Sequence, residues 1–116
     1  MQRQFVNGKI HRAIVTDAQL DYEGSISVDE DLLNGADIQP WEKVLIANLT
    51  NGARLESYCI PAEKGSGIIC LNGGAAKHGK AGDMVIIMSF VLLTQDEITS
   101  HVPKVVRVDS KNKMIS

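Results

Sequence analysis

Glu42-Lys43-Val44-Leu45-Ile46-Ala47-Asn48-Leu49, then Thr50-Asn51-Gly52-Ala53, then Arg54-Leu55-Glu56-Ser57-Tyr58-Cys59-Ile60: two strand-like runs flank an Asn-Gly pair. Asn-Gly tolerates the positive φ angles that a type I′ turn demands, which makes it the strongest short hairpin signal a sequence can carry. The pattern predicts a strand over 42–49, a type I′ turn at Asn51-Gly52, and a return strand over 54–60 that Pro61 ends. Side chains alternate along a strand. Arg54, Glu56 and Tyr58 therefore share one face of the return strand, and Ser57 takes the other.

Outward from this hairpin the chain keeps supplying short strands. Lys9 to Val15 reads as one, with Lys9 and His11 on one face and Ile10, Arg12 and Ile14 on the other. Taken alone, Lys9 is a solvated edge charge and His11 a structural histidine. Thr16 to Tyr22 is polar and irregular. Ser25 to Val28 is a short strand. Asp29 to Gly35 is a brief helix, with acidic residues in its first turn and Gly35 as its C′ stop. Gln39-Pro40-Trp41 and Lys64-Gly65-Ser66-Gly67 are turns. Ile68 to Leu71 is a buried strand that runs into Asn72-Gly73-Gly74-Ala75-Ala76. That bare backbone is either an ordinary tight turn or a set of amide groups open to an anion. Met84 to Met88 reads as a strand buried on both faces. Thr94-Gln95-Asp96-Glu97 starts a turn or short helix, and Val102 to Val108 is a last strand whose Pro103 favours a sheet edge. Asp109 to Ser116 reads as a frayed tail. Six or seven short strands with scraps of helix predict a mainly β fold in one domain, residues 1–116, built as a small closed or nearly closed barrel.

Composition narrows the function classes. Of 116 residues, 44% are apolar, enough for the core of one domain. The net charge of −2 argues against a nucleic-acid partner, which would call for a basic stripe. The longest apolar run, Met84 to Leu93, is interrupted by Ser89 and is about half of a roughly 20-residue membrane span. Met1-Gln2-Arg3-Gln4 leads into no apolar signal segment, so the expectation is a soluble cytoplasmic protein with no membrane partner. Cys59 and Cys70 have no metal spacing and read as buried thiols. His11, His78 and His101 lack ligand spacing, so no metal is expected.

Tyr22-Glu23-Gly24-Ser25 carries a chemical possibility. Glycine can hold a strained or exposed peptide bond, and the serine hydroxyl lies next to the preceding carbonyl. Attack would move the Gly24 acyl group from the Ser25 nitrogen to its oxygen. Elimination from that ester would cut the chain and leave a dehydroalanine, which hydrolyses to a pyruvoyl group. A lone Gly-Ser is far more often a plain turn, so other stretches decide.

Those stretches are Gly8-Lys9-Ile10-His11-Arg12, Tyr22-Glu23-Gly24-Ser25, Asn51-Gly52-Ala53-Arg54, Asn72-Gly73-Gly74-Ala75-Ala76 and Gly82-Asp83-Met84-Val85-Ile86-Ile87. In this order, across residues 5–108, the chain resembles the pyruvoyl-dependent aspartate 1-decarboxylases. The resemblance implies a double-psi β-barrel with short helices, a homotetramer, and sites between neighbouring subunits. It implies a precursor that cuts itself between Gly24 and Ser25 into a 1–24 β chain and a 25–116 α chain. The cofactor would be a covalent pyruvoyl group made from Ser25, with neither metal nor PLP. The substrate would be L-aspartate, converted to β-alanine and carbon dioxide for pantothenate and coenzyme A synthesis. Whether a maturation factor assists the cut stays open.

By the same resemblance, Ser25 supplies the Schiff-base carbonyl and Tyr58 returns a proton. Lys9 and Arg54 hold substrate carboxylate, and Ser57, Asn72, Gly73, Gly74 and Ala75 complete the substrate pocket. Self-cleavage would use Gly24 and Ser25, with Ser57 polarising the Gly24 carbonyl and Tyr22 and His11 shaping the site. The family commonly has threonine at Ser57 and often alanine at Gly74. A regular strand cannot turn Ser57 and Tyr58 to one pocket, so a bulge or a pocket shared between subunits is expected. The alternatives are an unprocessed, non-enzymatic β-barrel binding module, a pyruvoyl decarboxylase for another acidic amino acid, and a hydrolase using Ser25 with His11. The last lacks a nucleophile-elbow pattern.

Overall fold

The chain crosses its own barrel eight times. The computed structural model describes residues 1–116. In order the elements are β1 (Gln2–Ile14), β2 (Asp17–Gln19), β3 (Ser25–Asp29), α1 (Glu30–Gly35), β4 (Lys43–Asn48) and β5 (Arg54–Ala62). There follow β6 (Ile69–Asn72), a 3-10 helix (Gly73–His78), β7 (Met84–Thr94), α2 (Gln95–Ile98) and β8 (Lys104–Arg107). Hydrogen bonding orders the strands β2-β6-β3-β5-β4-β7-β1-β8. β1 and β2 lie near opposite ends of that order yet are joined by Val15-Thr16 alone. Val15 N–H donates to Asp83 O at 2.8 Å, and Thr16 N–H donates to Ile69 O at 2.7 Å. One continuous segment thus borders β7 and then β6, which brings the two edges of the sheet together. The result is mainly β, one domain with short helices, the double-psi β-barrel that the resemblance implied.

Alternation fills the interior. Ile10, Ile26, Val28, Val44, Ile46, Ile69, Leu71, Val85 and Ile87 point inward, and Leu32 and Leu33 of α1 plug one end. α1 starts where Asp29 caps it. That buried carboxylate accepts from Asp31 N–H at 2.9 Å, and it also ties down the 65–67 turn through Gly65 N–H at 3.0 Å and Gly67 N–H at 2.9 Å.

Several expectations are corrected. The β4–β5 connection is not a two-residue type I′ turn. Gly52 has a φ of +81°, whereas Asn51 is not in the positive region. Asn48 O accepts from Gly52 N–H at 2.9 Å, and the Asn48 side chain accepts from Thr50 and Asn51 N–H, which stabilises a longer loop. Pro61 does not end β5, because Cys59 N–H already points toward Glu42 O on the β4 side. Two residues on, the missing N–H of Pro61 falls on that same side, past the end of β4, and costs the ladder nothing. Gly35 is the last residue of α1, not a positive-φ stop. Its value is space, since a Cβ there would stand 2.9 Å from both Met114 Sδ and Val106 Cγ2. β7 is longer than expected and buries one face, with Val85, Ile87 and Ser89 inside and Met84, Ile86 and Met88 half-covered. The segment Thr16 to Tyr22 contains the short β2. The tail is not frayed: Asn112, 1% exposed, donates to Ile14 O and Gly67 O and accepts from Ile14 N–H.

Both cysteines are buried and unpaired, as expected. Burial pushes the Cys59 thiol up to about 12, with Glu42 adding to it. No helix is long and apolar enough to cross a membrane.

Candidate active site

β3 joins β5 in parallel only from Ile26 opposite Cys59 onward. Before that point the edge of β5 is open, and a cavity of about 410 Å³ lies there. Gly24, Ser25, Leu55, Glu56, Ser57 and Tyr58 border it, together with Gly74, Ala75 and His78 from the 3-10 helix. The anticipated bulge is absent, because β5 pairs with β4 in unbroken register from Tyr58 to Arg54. Ser57 and Tyr58 both reach the cavity because it lies beyond the strand's free edge, where side chains of either face can turn in.

Ser25 is where the chain bends away. Its φ is +137°, a region almost reserved for glycine, which costs roughly 1–3 kcal/mol and persists only when its surroundings impose it. The imposing contacts are visible. Asn72 Nδ2 donates to Ser25 Oγ at 3.0 Å and to Ser27 Oγ at 2.9 Å. The Cys70 thiol donates to Asn72 Oδ1 at 3.2 Å, which turns the amide's NH₂ toward the two hydroxyls. Ser25 Oγ is thereby fixed by a donor, and its own hydrogen is left for another acceptor. Gly73, at φ +60°, lies directly against the 22–24 segment: a Cβ there would sit 2.8 Å from Tyr22 O and 2.9 Å from Gly24 N and Cα.

The Tyr58 hydroxyl donates to Gly24 O at 2.9 Å. This is the carbonyl that Ser25 would attack, and a donor on its oxygen draws electrons from its carbon. The hydrogen bond expected from Ser57 is thus made by Tyr58, while Ser57 borders the same cavity. Trp41 lies against the Tyr58 ring, 5.5 Å between centroids and 11° from parallel.

The other expected residues are dispersed. Lys9 sits on β1 between Met88 of β7 and Val105 of β8. Arg54 begins β5 opposite Ala47, exposed and outside the cavity lining. Tyr22 is 63% exposed and borders a separate cavity with Gln19, Ser27, Cys70 and Asn72. His11 lies opposite Arg107 of β8, beside a third cavity that Arg12 also borders. Burial, then repulsion from Lys9, Arg107 and Arg12, holds the His11 pKa below its usual value. A Cβ on Gly74 would meet no atom within 4 Å, so the alanine common in the family would fit.

Sequence reading missed Cys70, Ser27, His78 and Trp41. The first two had a signal: strand periodicity puts Ser25 with Ser27 and Cys70 with Asn72, and antiparallel pairing sets Ser25 opposite Asn72 and Ser27 opposite Cys70. Nothing local marked Trp41 or His78.

The chain is similar to known proteins along almost its whole length. The family described as aspartate decarboxylase matches residues 1–115. The aspartate 1-decarboxylase of Listeria monocytogenes serovar 1/2a is 55% identical over 112 residues, covering 97% of this chain and 88% of the relative. That of Neisseria meningitidis serogroup C is 56% identical over 114 residues, 98% of this chain and 90% of the relative. That of Ruminiclostridium cellulolyticum is 52% identical, covering 98% and 89%.

Proposed function

The chain belongs to the aspartate decarboxylase family, and from that premise we propose that it converts L-aspartate to β-alanine and carbon dioxide using a pyruvoyl group made from its own Ser25. The carrying observation is the Gly24-Ser25 junction, with Ser25 at φ +137°, its Oγ fixed by Asn72 and the Gly24 oxygen held by Tyr58. A strained residue whose hydroxyl and preceding carbonyl are each separately held suits intramolecular acyl transfer.

The residues divide the work. Ser25 Oγ bonds to the Gly24 carbonyl carbon as the Gly24–Ser25 amide breaks, giving an ester. Loss of the Ser25 α-hydrogen with departure of the Gly24 carboxylate cuts the chain, and water replaces nitrogen as ammonia leaves. The ketone so formed supplies the electron sink that decarboxylation of an amino acid needs. Before the cut, Tyr58 is engaged by Gly24 O; after it, the phenol is released to face the reacting carbon and return a proton. Ser57, Gly74 and Ala75 shape the pocket wall.

Lys9 and Arg54 are the cations suited to a dicarboxylate, yet neither borders the cavity of its own chain. This supports a site completed by a neighbouring copy within a homotetramer. The product would feed pantothenate synthesis in the cytoplasm.

The test is an intact-mass spectrum under denaturing conditions. We expect pieces 1–24 and 25–116, the longer one lighter by one ammonia than a serine-ended chain, and a Ser25→Ala chain that stays whole. A wild-type chain still uncut after prolonged incubation, inactive on aspartate, would refute the reading. Preferred turnover of glutamate or cysteine sulfinate would reassign the substrate alone.

A further inference from the structure

Trp41 is the only tryptophan in the chain, and its position is costly in two ways. Its φ is +72°, where a bulky residue is an outlier and Asn or Gly is the usual occupant. Its side chain is also 71% exposed, so core packing does not explain it. What it does is stack on Tyr58, at 5.5 Å and 11°. The backbone places it there: Trp41 N–H donates to Cys59 O at 2.8 Å, and Cys59 N–H donates to Glu42 O at 3.1 Å. These bonds clamp the 41–42 segment onto β5 one residue past Tyr58, and the strained φ delivers the indole over the phenol.

The phenol is therefore pinned twice, at its ring by Trp41 and at its hydroxyl by Gly24 O. On the mechanism proposed above, cleavage removes the second pin at the moment Tyr58 must begin to donate protons. We propose that Trp41 is a positioning residue that alone holds the Tyr58 phenol over the Ser25 cavity once the chain is cut. This inference rests on the pyruvoyl reading of Ser25. It adds a residue that lies outside the lining of the Ser25 cavity and acts through Tyr58.

Two substitutions separate positioning from mere structure. Trp41→Asn removes the ring and relieves the backbone, and Trp41→Phe keeps an aromatic face. The stacking energy of an aromatic pair corresponds to a factor of about 2–13. We expect Trp41→Asn to be cut normally by mass, to melt no lower than wild type, and to lose up to about tenfold in kcat with KM little changed. Trp41→Phe should regain most of that loss. Wild-type kcat in Trp41→Asn, or equal losses in both variants, would overturn the proposal. If Trp41→Asn fails to fold, the emission of the lone tryptophan decides: Tyr58→Leu should shift it, and an unchanged spectrum would mean that the rings do not stack in solution. A wild-type chain that is neither cut nor active sinks the parent reading instead, and mass spectrometry tells the two failures apart.

Discussion

Replacing Gly73 with alanine is the sharpest available test of how the barrel holds the Gly24–Ser25 bond for the proposed cut. At Gly73 the new Cβ would stand 2.8 Å from Tyr22 O and 2.9 Å from both Gly24 N and Gly24 Cα, all of them backbone atoms. Comfortable contact begins near 3.5 Å, so the 22–24 segment must retreat by roughly half an ångström. The φ of +60° adds about 1–2 kcal/mol for any residue with a Cβ. For a domain of this size that lowers the melting temperature by about 4–8 °C, which leaves the fold intact. The retreat moves Gly24 relative to both the Tyr58 hydroxyl and Ser25 Oγ. Since misplacing a reacting group by about 1 Å can cost on the order of a hundredfold, self-cleavage should slow roughly tenfold. The assay is a mass-spectrometric time course of the two pieces. Gly74→Ala is the internal control, because its Cβ meets nothing within 4 Å and it should cut at the wild-type rate. Wild-type cleavage in Gly73→Ala, or equal slowing in both variants, would refute the reasoning.

Two further outcomes follow from the same geometry. Tyr58→Phe should cut itself more slowly, having lost the donor on Gly24 O, and once cut its aspartate turnover should fall by roughly 10²–10⁴-fold; turnover near wild type in the cut chain would remove Tyr58 as proton donor. The folded His11 pKa is lowered by burial and by Lys9, Arg107 and Arg12, so the unfolded chain binds that proton first. Stability should therefore rise with pH between the lowered folded value and the ordinary 6.5, and be lost as pH falls through that window. Melting curves taken at stepped pH should show a shallower slope for His11→Asn, and an unchanged slope would show that His11 does not carry the effect.

Most of the barrel was legible because its strands obey a period of two. Val44 and Ile46 alternate inward along β4, whereas on β1 Arg12, exposed and at φ +63°, leaves the face it was expected to share with Ile10. The failures are places where one polar side chain overrides a local pattern. Asn48 accepts from two loop amides and makes a longer connection out of an Asn-Gly signal. Asn112 binds Ile14 and Gly67 and orders a tail that composition read as loose. At the site, four stretches besides Tyr22-Glu23-Gly24-Ser25 were needed before Ser25 stood out from any other Gly-Ser. The contact between Tyr58 and Gly24 could not be read from periodicity. It exists because the bend at Ser25 carries the chain past the open edge of β5.

That same edge bears on the two cations expected to hold substrate, since neither borders the cavity of its own chain. The cavity of one chain carries Glu56 and His78, while Lys9 lies across the sheet on β1, separated from β5 by β7 and β4. A dicarboxylate needs positive charge close to the carboxylate it keeps, so a second copy of the chain must bring it if the proposed substrate is correct. Complementation tests this directly. Ser25→Ala and Lys9→Ala are each expected to be nearly inactive alone. Co-expressed, they can assemble sites that take Ser25 from one copy and Lys9 from another. Random mixing in a symmetric oligomer makes roughly a quarter of such sites fully wild type, so about that fraction of activity should return. If both residues served the same site from within one chain, no mixture could restore it. Verified hetero-oligomers with only the residual activity of Lys9→Ala would therefore assign Lys9 and Ser25 to the site of one and the same chain and refute the shared site.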